Sequence, residues 1–96
     1  MAKYRLSPLA KADLYGIWLY GVETWGMDAA DSYLQALYQR FTAIAEEPLL
    51  WPTVDDIRPG YRRCIHKPNS IYYRIAQDGA VEIMAVLGRQ NTETRL

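Results

Sequence analysis

Only one cysteine, Cys64, occurs in the 96 residues, so the chain forms no internal disulfide and lacks the thiols of a zinc cluster. Histidine is as scarce. His66 stands alone, and no spacing of His, Cys or carboxylates reads as a metal site. Neither a Gly-rich phosphate loop nor a dinucleotide fingerprint is present, so no cofactor is expected. The chain has no run of the roughly 18 apolar residues that a membrane helix needs. It also lacks the charged-then-apolar order of a signal peptide, which points to the cytoplasm and no membrane partner. Excess charge is missing as well: 11 Lys+Arg stand against 11 Asp+Glu. Proteins that coat DNA or RNA carry a strong basic excess, so direct sequence-specific nucleic-acid binding is not expected.

What is there is the composition of one small globular domain, half hydrophobic and 23% charged. The charge is unevenly placed. Residues 1–48 hold four basic and six acidic side chains; residues 49–96 hold seven and five. Apart from Lys67, the later cations are all arginines, suited to bidentate or stacked contacts.

Lys3 to Leu6 reads as a short strand entering Ser7-Pro8, a helix-start signal: the hydroxyl accepts an orphan amide and proline loses no bond in the first turn. Ala10, Leu14, Ile17 and Gly21 then mark one helix face, and Gly26 stops the helix after Trp25. Asp28 is expected to cap a second helix, with Asp31 adding negative charge to its first turn. Its core face is Ala30, Leu34, Leu37, Phe41 and Ile44, and Pro48 closes it. Similar length and a short joint predict an antiparallel helical hairpin.

Residues 49–60 are irregular. Three strand-like runs follow, Tyr61–His66, Ile71–Ala76 and Val81–Leu87, with hairpin signals at Pro68-Asn69 and Asp78-Gly79. Strict alternation puts Ile71, Tyr73, Ile75, Val81, Ile83, Ala85 and Leu87 on the face toward the helices. It leaves Tyr72, Arg74, Ala76, Glu82, Met84 and Val86 on a face that no further element covers. The predicted fold is α+β, in the order β-α-α-β-β-β, with the helical hairpin on one face of an antiparallel sheet.

That order, with its residues, resembles the RelE/ParE toxin superfamily of type II toxin–antitoxin modules, and most of all ParE-type toxins. The pattern runs from Ala10, Asp13, Leu14, Ile17 and Tyr20 through Trp25-Gly26 to Ala30 and Tyr33. It continues at Pro48, Arg58-Pro59-Gly60-Tyr61-Arg62, Ile71-Tyr72-Tyr73 and Ile83-Met84-Ala85-Val86-Leu87, and so spans residues 4–89. The resemblance implies a toxin neutralised by a cognate antitoxin, a dimeric DNA-binding protein whose C-terminal tail is disordered until bound. ParE-like members inhibit DNA gyrase; RelE-like members are ribosome-dependent mRNA endoribonucleases.

Metal-free RNA cleavage needs a base, cations at the scissile phosphate and an acid for the leaving oxygen. Where RelE-like toxins begin the middle strand with arginine, this chain has Ser70. Only Arg89 follows the last strand closely, and Thr92–Leu96 holds neither Tyr nor His. The constellation is incomplete, so the chain is expected to act by binding gyrase and not as an enzyme. The ribosome-dependent nuclease and a non-toxic co-repressor are the alternatives.

His66 is expected in an exposed turn, Cys64 as a structural thiol, and Asp55-Asp56 as solvated loop carboxylates. Expected antitoxin contacts are Arg58, Arg62, Arg63, Tyr72, Arg74 and Met84. Expected target contacts are Arg74, Arg89 and Arg95. Tyr15, Trp18, Leu19 and Tyr33 lie off the apolar stripes, either flanking the hairpin or anchoring a partner.

Overall fold

The computed structural model describes residues 3–88, to which the structural statements below refer. A short strand, β1 (Tyr4–Leu6), leads through Ser7 into α1 (Pro8–Trp25). The Ser7 hydroxyl accepts the Ala10 amide at 3.0 Å, and Pro8 opens the first turn. α1 ends at Gly26, whose φ of 97° is a conformation that a Cβ disfavours. The chain reverses there, and α2 (Met27–Glu46) begins at once. Asp28 is therefore not the cap. Gly26 holds that position without a side-chain bond, and Asp28 falls inside the first turn, where its charge suits the helix's positive end.

The helices cross closely because Gly21 has no side chain: a Cβ there would stand 3.1 Å from that of Ala30. Trp18 Nε1 donates to Asp31 Oδ1 at 2.7 Å and ties the two helices together.

The sheet comprises β1, β2 (Arg62–His66), β3 (Asn69–Ile75) and β4 (Val81–Leu87), in the order β1-β4-β3-β2. β2–β3 and β3–β4 are antiparallel hairpins, as the turn residues predict. β1 pairs with β4 in parallel, so the sheet is mixed and not wholly antiparallel. The main core joins Ala10 and Leu14 of α1 and Leu37, Phe41 and Ile44 of α2 to one sheet face. Truncating Leu37 or Phe41 to alanine would cost roughly 2–5 kcal/mol.

The sheet departs from simple alternation at one residue. Tyr72 pairs with Ala85 but Tyr73 pairs with Ile83, so Met84 is an extra residue in β4. Such a bulge switches the face of everything beyond it. Val81, Ile83 and Val86 pack toward the helices, while Ala85 and Leu87 turn to the opposite face. Alternation had assigned those last three the other way round.

The opposite face is also not bare. Val54, Tyr61, Tyr72, Ala85 and Leu87 form a second core, with Ile57 and Met84 packed against it. Val54, Ile57 and Tyr61 belong to the irregular segment between α2 and β2, which folds over this part of the sheet. Tyr73 Oη donates to the Pro48 carbonyl at 2.6 Å, and Arg62 Nη1 donates to that of Trp51 at 2.6 Å. The Val54 amide meets the Tyr61 carbonyl at 2.8 Å, and the Arg63 amide meets that of Pro52 at 3.1 Å.

Candidate functional site

The first turns of α1 explain several residues of the sequence pattern. β1 stops level with Ile83, so beyond that point β4 has a strand neighbour, β3, on one edge only. The Ser7 hydroxyl donates to the Met84 carbonyl at 3.0 Å, and Asp13 Oδ2 accepts the Val86 amide at 3.0 Å. The side chains of Ser7, which caps α1, and of Asp13 within it thus take up the backbone groups that the short strand leaves open.

On the open sheet face a row of charges crosses three strands. Arg5 of β1 and Arg74 of β3 both lie in register with Glu82 of β4. Arg74 Nε donates to Glu82 Oε1 at 2.6 Å, while Arg5 donates to Glu82 Oε2 at 3.2 Å and to Asp78 Oδ2 at 2.9 Å. Arg74 first, then Arg5, holds the Glu82 carboxyl below its usual range, and Arg5 does the same for Asp78. These bonds orient the arginines but are worth little as stability at an exposed site.

The other expected contact residues that the structure describes fall into two groups. Arg58 is exposed, its guanidinium 5.7 Å from the Tyr61 ring centroid, and Arg63 and Met84 are half-buried at the surface. Arg62, in contrast, braces the irregular segment through the Trp51 carbonyl. Tyr72 is only 1% exposed, sealed in the second core, and so presents no surface for direct contact. Arg89 and Arg95 lie outside the described residues.

A second surface runs along the helical hairpin, where Lys11, Leu14, Tyr15, Trp18, Leu34 and Tyr38 line an open trough. Tyr15 is exposed there and Leu19 is exposed elsewhere on the same helix, whereas Trp18 is held by Asp31 and Tyr33 is half-buried. The four aromatic and apolar residues off the core stripes therefore divide between bracing and display.

A third cluster joins α2 to the end of β2. Arg40 was not singled out from the sequence, and only the fold brings it, Tyr33 and Asn69 beside His66. Tyr33 Oη donates to Asn69 Oδ1 at 2.7 Å, and the Tyr33 and His66 rings lie 5.6 Å apart. His66 ends β2 half-buried and is not an exposed turn residue. Its Nδ1 is buried with no hydrogen-bond partner among the described residues. Burial, then Arg40, pushes its pKa below the usual value. Cys64 is fully buried, and burial raises its thiol pKa against the opposing charge of Arg40. Tyr33 is also raised by burial, and Tyr73 is pushed up to about 12, chiefly by burial. These groups favour their neutral forms. Among the described residues no cluster of three or more His, Cys, Asp or Glu is placed to hold a metal. No helix there is long and apolar enough to cross a membrane.

Comparison with known proteins agrees with this architecture. Residues 4–92 match the family of ParE toxins of the type II toxin–antitoxin system parDE. The chain is 40% identical over 87 residues to Toxin ParE1 of Caulobacter vibrioides, covering 91% of this chain and 88% of that protein. It is 35% identical over 86 residues to Toxin ParE1 of Mycobacterium tuberculosis, covering 90% and 88%. A solved structure of the chromosomal ParDE system from P. aeruginosa shares the fold, with a TM-score of 0.80 at 19% identity over 92% of this chain and 96% of that one. The chain belongs to the ParE toxin family of type II toxin–antitoxin systems.

Proposed function

We propose that this ParE-family toxin inhibits DNA gyrase in the cytoplasm by binding, without making or breaking covalent bonds, and that a cognate antitoxin neutralises it by occlusion. The reading rests on what the sheet side chains are already doing. Ser70, not a cation, precedes Ile71, and Arg62 is bonded to a main-chain carbonyl. A nuclease needs those cations free to surround a phosphate.

The antitoxin, a dimeric DNA-binding protein, lays its otherwise disordered C-terminal tail on this chain. That the similar P. aeruginosa structure is of a ParDE pair supports such a partner. Acidic tail residues meet Arg58, Arg63 and Arg74, and apolar ones pack beside Met84. Arg62 and Tyr72 support that surface from beneath. Arg74, with Arg89 and Arg95, faces gyrase, so one occupant excludes the other.

The test is a supercoiling and DNA-cleavage assay with purified gyrase. Lost supercoiling and accumulated cleaved DNA, both reversed by antitoxin, are expected. No inhibition and no trapped cleavage would remove the proposal. Deleting residues 89–96 should weaken gyrase inhibition more than antitoxin binding, and equal loss of both would refute this division of roles.

A further inference from the structure

The turn of the helical hairpin has chemistry that neither the sheet face nor the helical trough uses. Tyr20, Trp25 and Met27 are 61%, 66% and 58% exposed around Gly26. Tyr20 and Trp25 stand edge to face, their centroids 5.6 Å apart. That leaves ring surface in water at the end of the molecule built from the two helices.

The charge there has one sign. Between Lys11 and Arg40 the sequence has four carboxylates, Asp13, Glu23, Asp28 and Asp31, and no Lys or Arg. Asp13 is bound to the Val86 amide and Asp31 to Trp18. Glu23 follows Tyr20 by one helical turn, and Asp28 follows Trp25 across the reversal. Both are exposed and have no hydrogen bond or ion pair among the described residues. Carboxylates beside open aromatic faces form a receptor for cations: the rings attract a guanidinium or ammonium, and the carboxylates supply the opposite charge.

We propose that this hairpin tip, formed by Tyr20, Glu23, Trp25, Met27 and Asp28, is a docking site for a cationic segment of a partner protein. Charge complementarity selects that occupant. Arginine fits best, because its planar head stacks on an indole while donating to a carboxylate. The tip takes a ligand opposite in charge to the acidic tail proposed for the arginine-bearing sheet, so the two sites recognise different partner chemistry.

The experiment uses the full-length chain and a synthetic peptide of alternating arginine and alanine, followed by NMR of the tryptophan indole signals. Titration should shift the Trp25 indole and leave that of Trp18 in place. E23Q/D28N, read on the Trp25 indole, and W25A, read by isothermal titration calorimetry, should each weaken the peptide about tenfold, with the remaining spectrum unchanged. A peptide of alternating glutamate and alanine should not bind. Shifts confined to other residues, or unchanged affinity in E23Q/D28N, would overturn the proposal. So would a Trp25 shift that tracks protein concentration without peptide, which would identify a second copy of the chain as the occupant.

Discussion

Asp13 accepts a hydrogen bond from the amide of Val86 at 3.0 Å, joining the second turn of α1 to the end of β4 across 73 positions of sequence. The bond lies just past the Met84 bulge, where β1 has ended. It gives a physical reason for an aspartate on a helix whose neighbouring positions serve the core. Asp13→Ala should destabilise the fold by about 1–3 kcal/mol, because it strands a part-buried amide. Asp13→Asn keeps an acceptor and should cost less. Equal losses in chemical denaturation would show that the acceptor is not what matters.

The bulge itself is open to test. Deleting Met84 would restore an unbroken ladder and turn the end of β4 over, burying the wrong side chains. The deletion variant is expected to lose cooperative unfolding. Met84→Ala, which retains the backbone residue, should fold and cost about 1–2 kcal/mol for a half-buried side chain. A deletion variant that unfolds cooperatively with native stability would contradict the assigned register.

Two adjacent arginines should separate bracing from recognition. Arg62→Met removes the bond to the Trp51 carbonyl and should expose the segment from Leu49 to Gly60 to protease, at a stability cost of about 1–3 kcal/mol. Arg63→Met should change stability by less than about 0.5 kcal/mol, as for an ordinary surface substitution, while weakening antitoxin binding. The opposite pattern in proteolysis and calorimetry would reverse the assigned roles.

His66 should make the fold acid-sensitive. Its folded pKa lies below the ordinary 6.5, through burial first and Arg40 second. In the window between the folded value and 6.5 the unfolded chain binds more protons, so stability rises with pH there and levels off above it. As pH falls through that window the stabilisation is lost. His66→Gln should flatten this part of the stability curve in denaturation series run from pH 7.5 downward. An unchanged slope would assign the acid sensitivity to other groups.

The helices were legible because their signals are local and repeated. Ser7-Pro8, the stripe from Ala10 to Gly21 and the stop at Gly26 bound α1 within the chain itself. β4 was harder to read: Val81 to Leu87 is apolar at all positions but Glu82, so period alone could not locate a bulge. The segment over the second core has no period at all. Its position depends on Arg62 and Tyr73 reaching distant carbonyls. The burial of Tyr72 followed from that roof, and the His66 cluster from the approach of α2. Both are long-range consequences that a reading along the chain does not register. β1, with three residues, carried no signal for its parallel partner.

Titration of purified gyrase with this protein tests binding against chemistry most directly. If the toxin acts by occupying its target, supercoiling activity should fall in proportion to the molar ratio and recover when antitoxin matches the toxin. Gyrase that stays fully active at molar excess, together with messenger cleavage on ribosomes by substoichiometric toxin, would contradict the account.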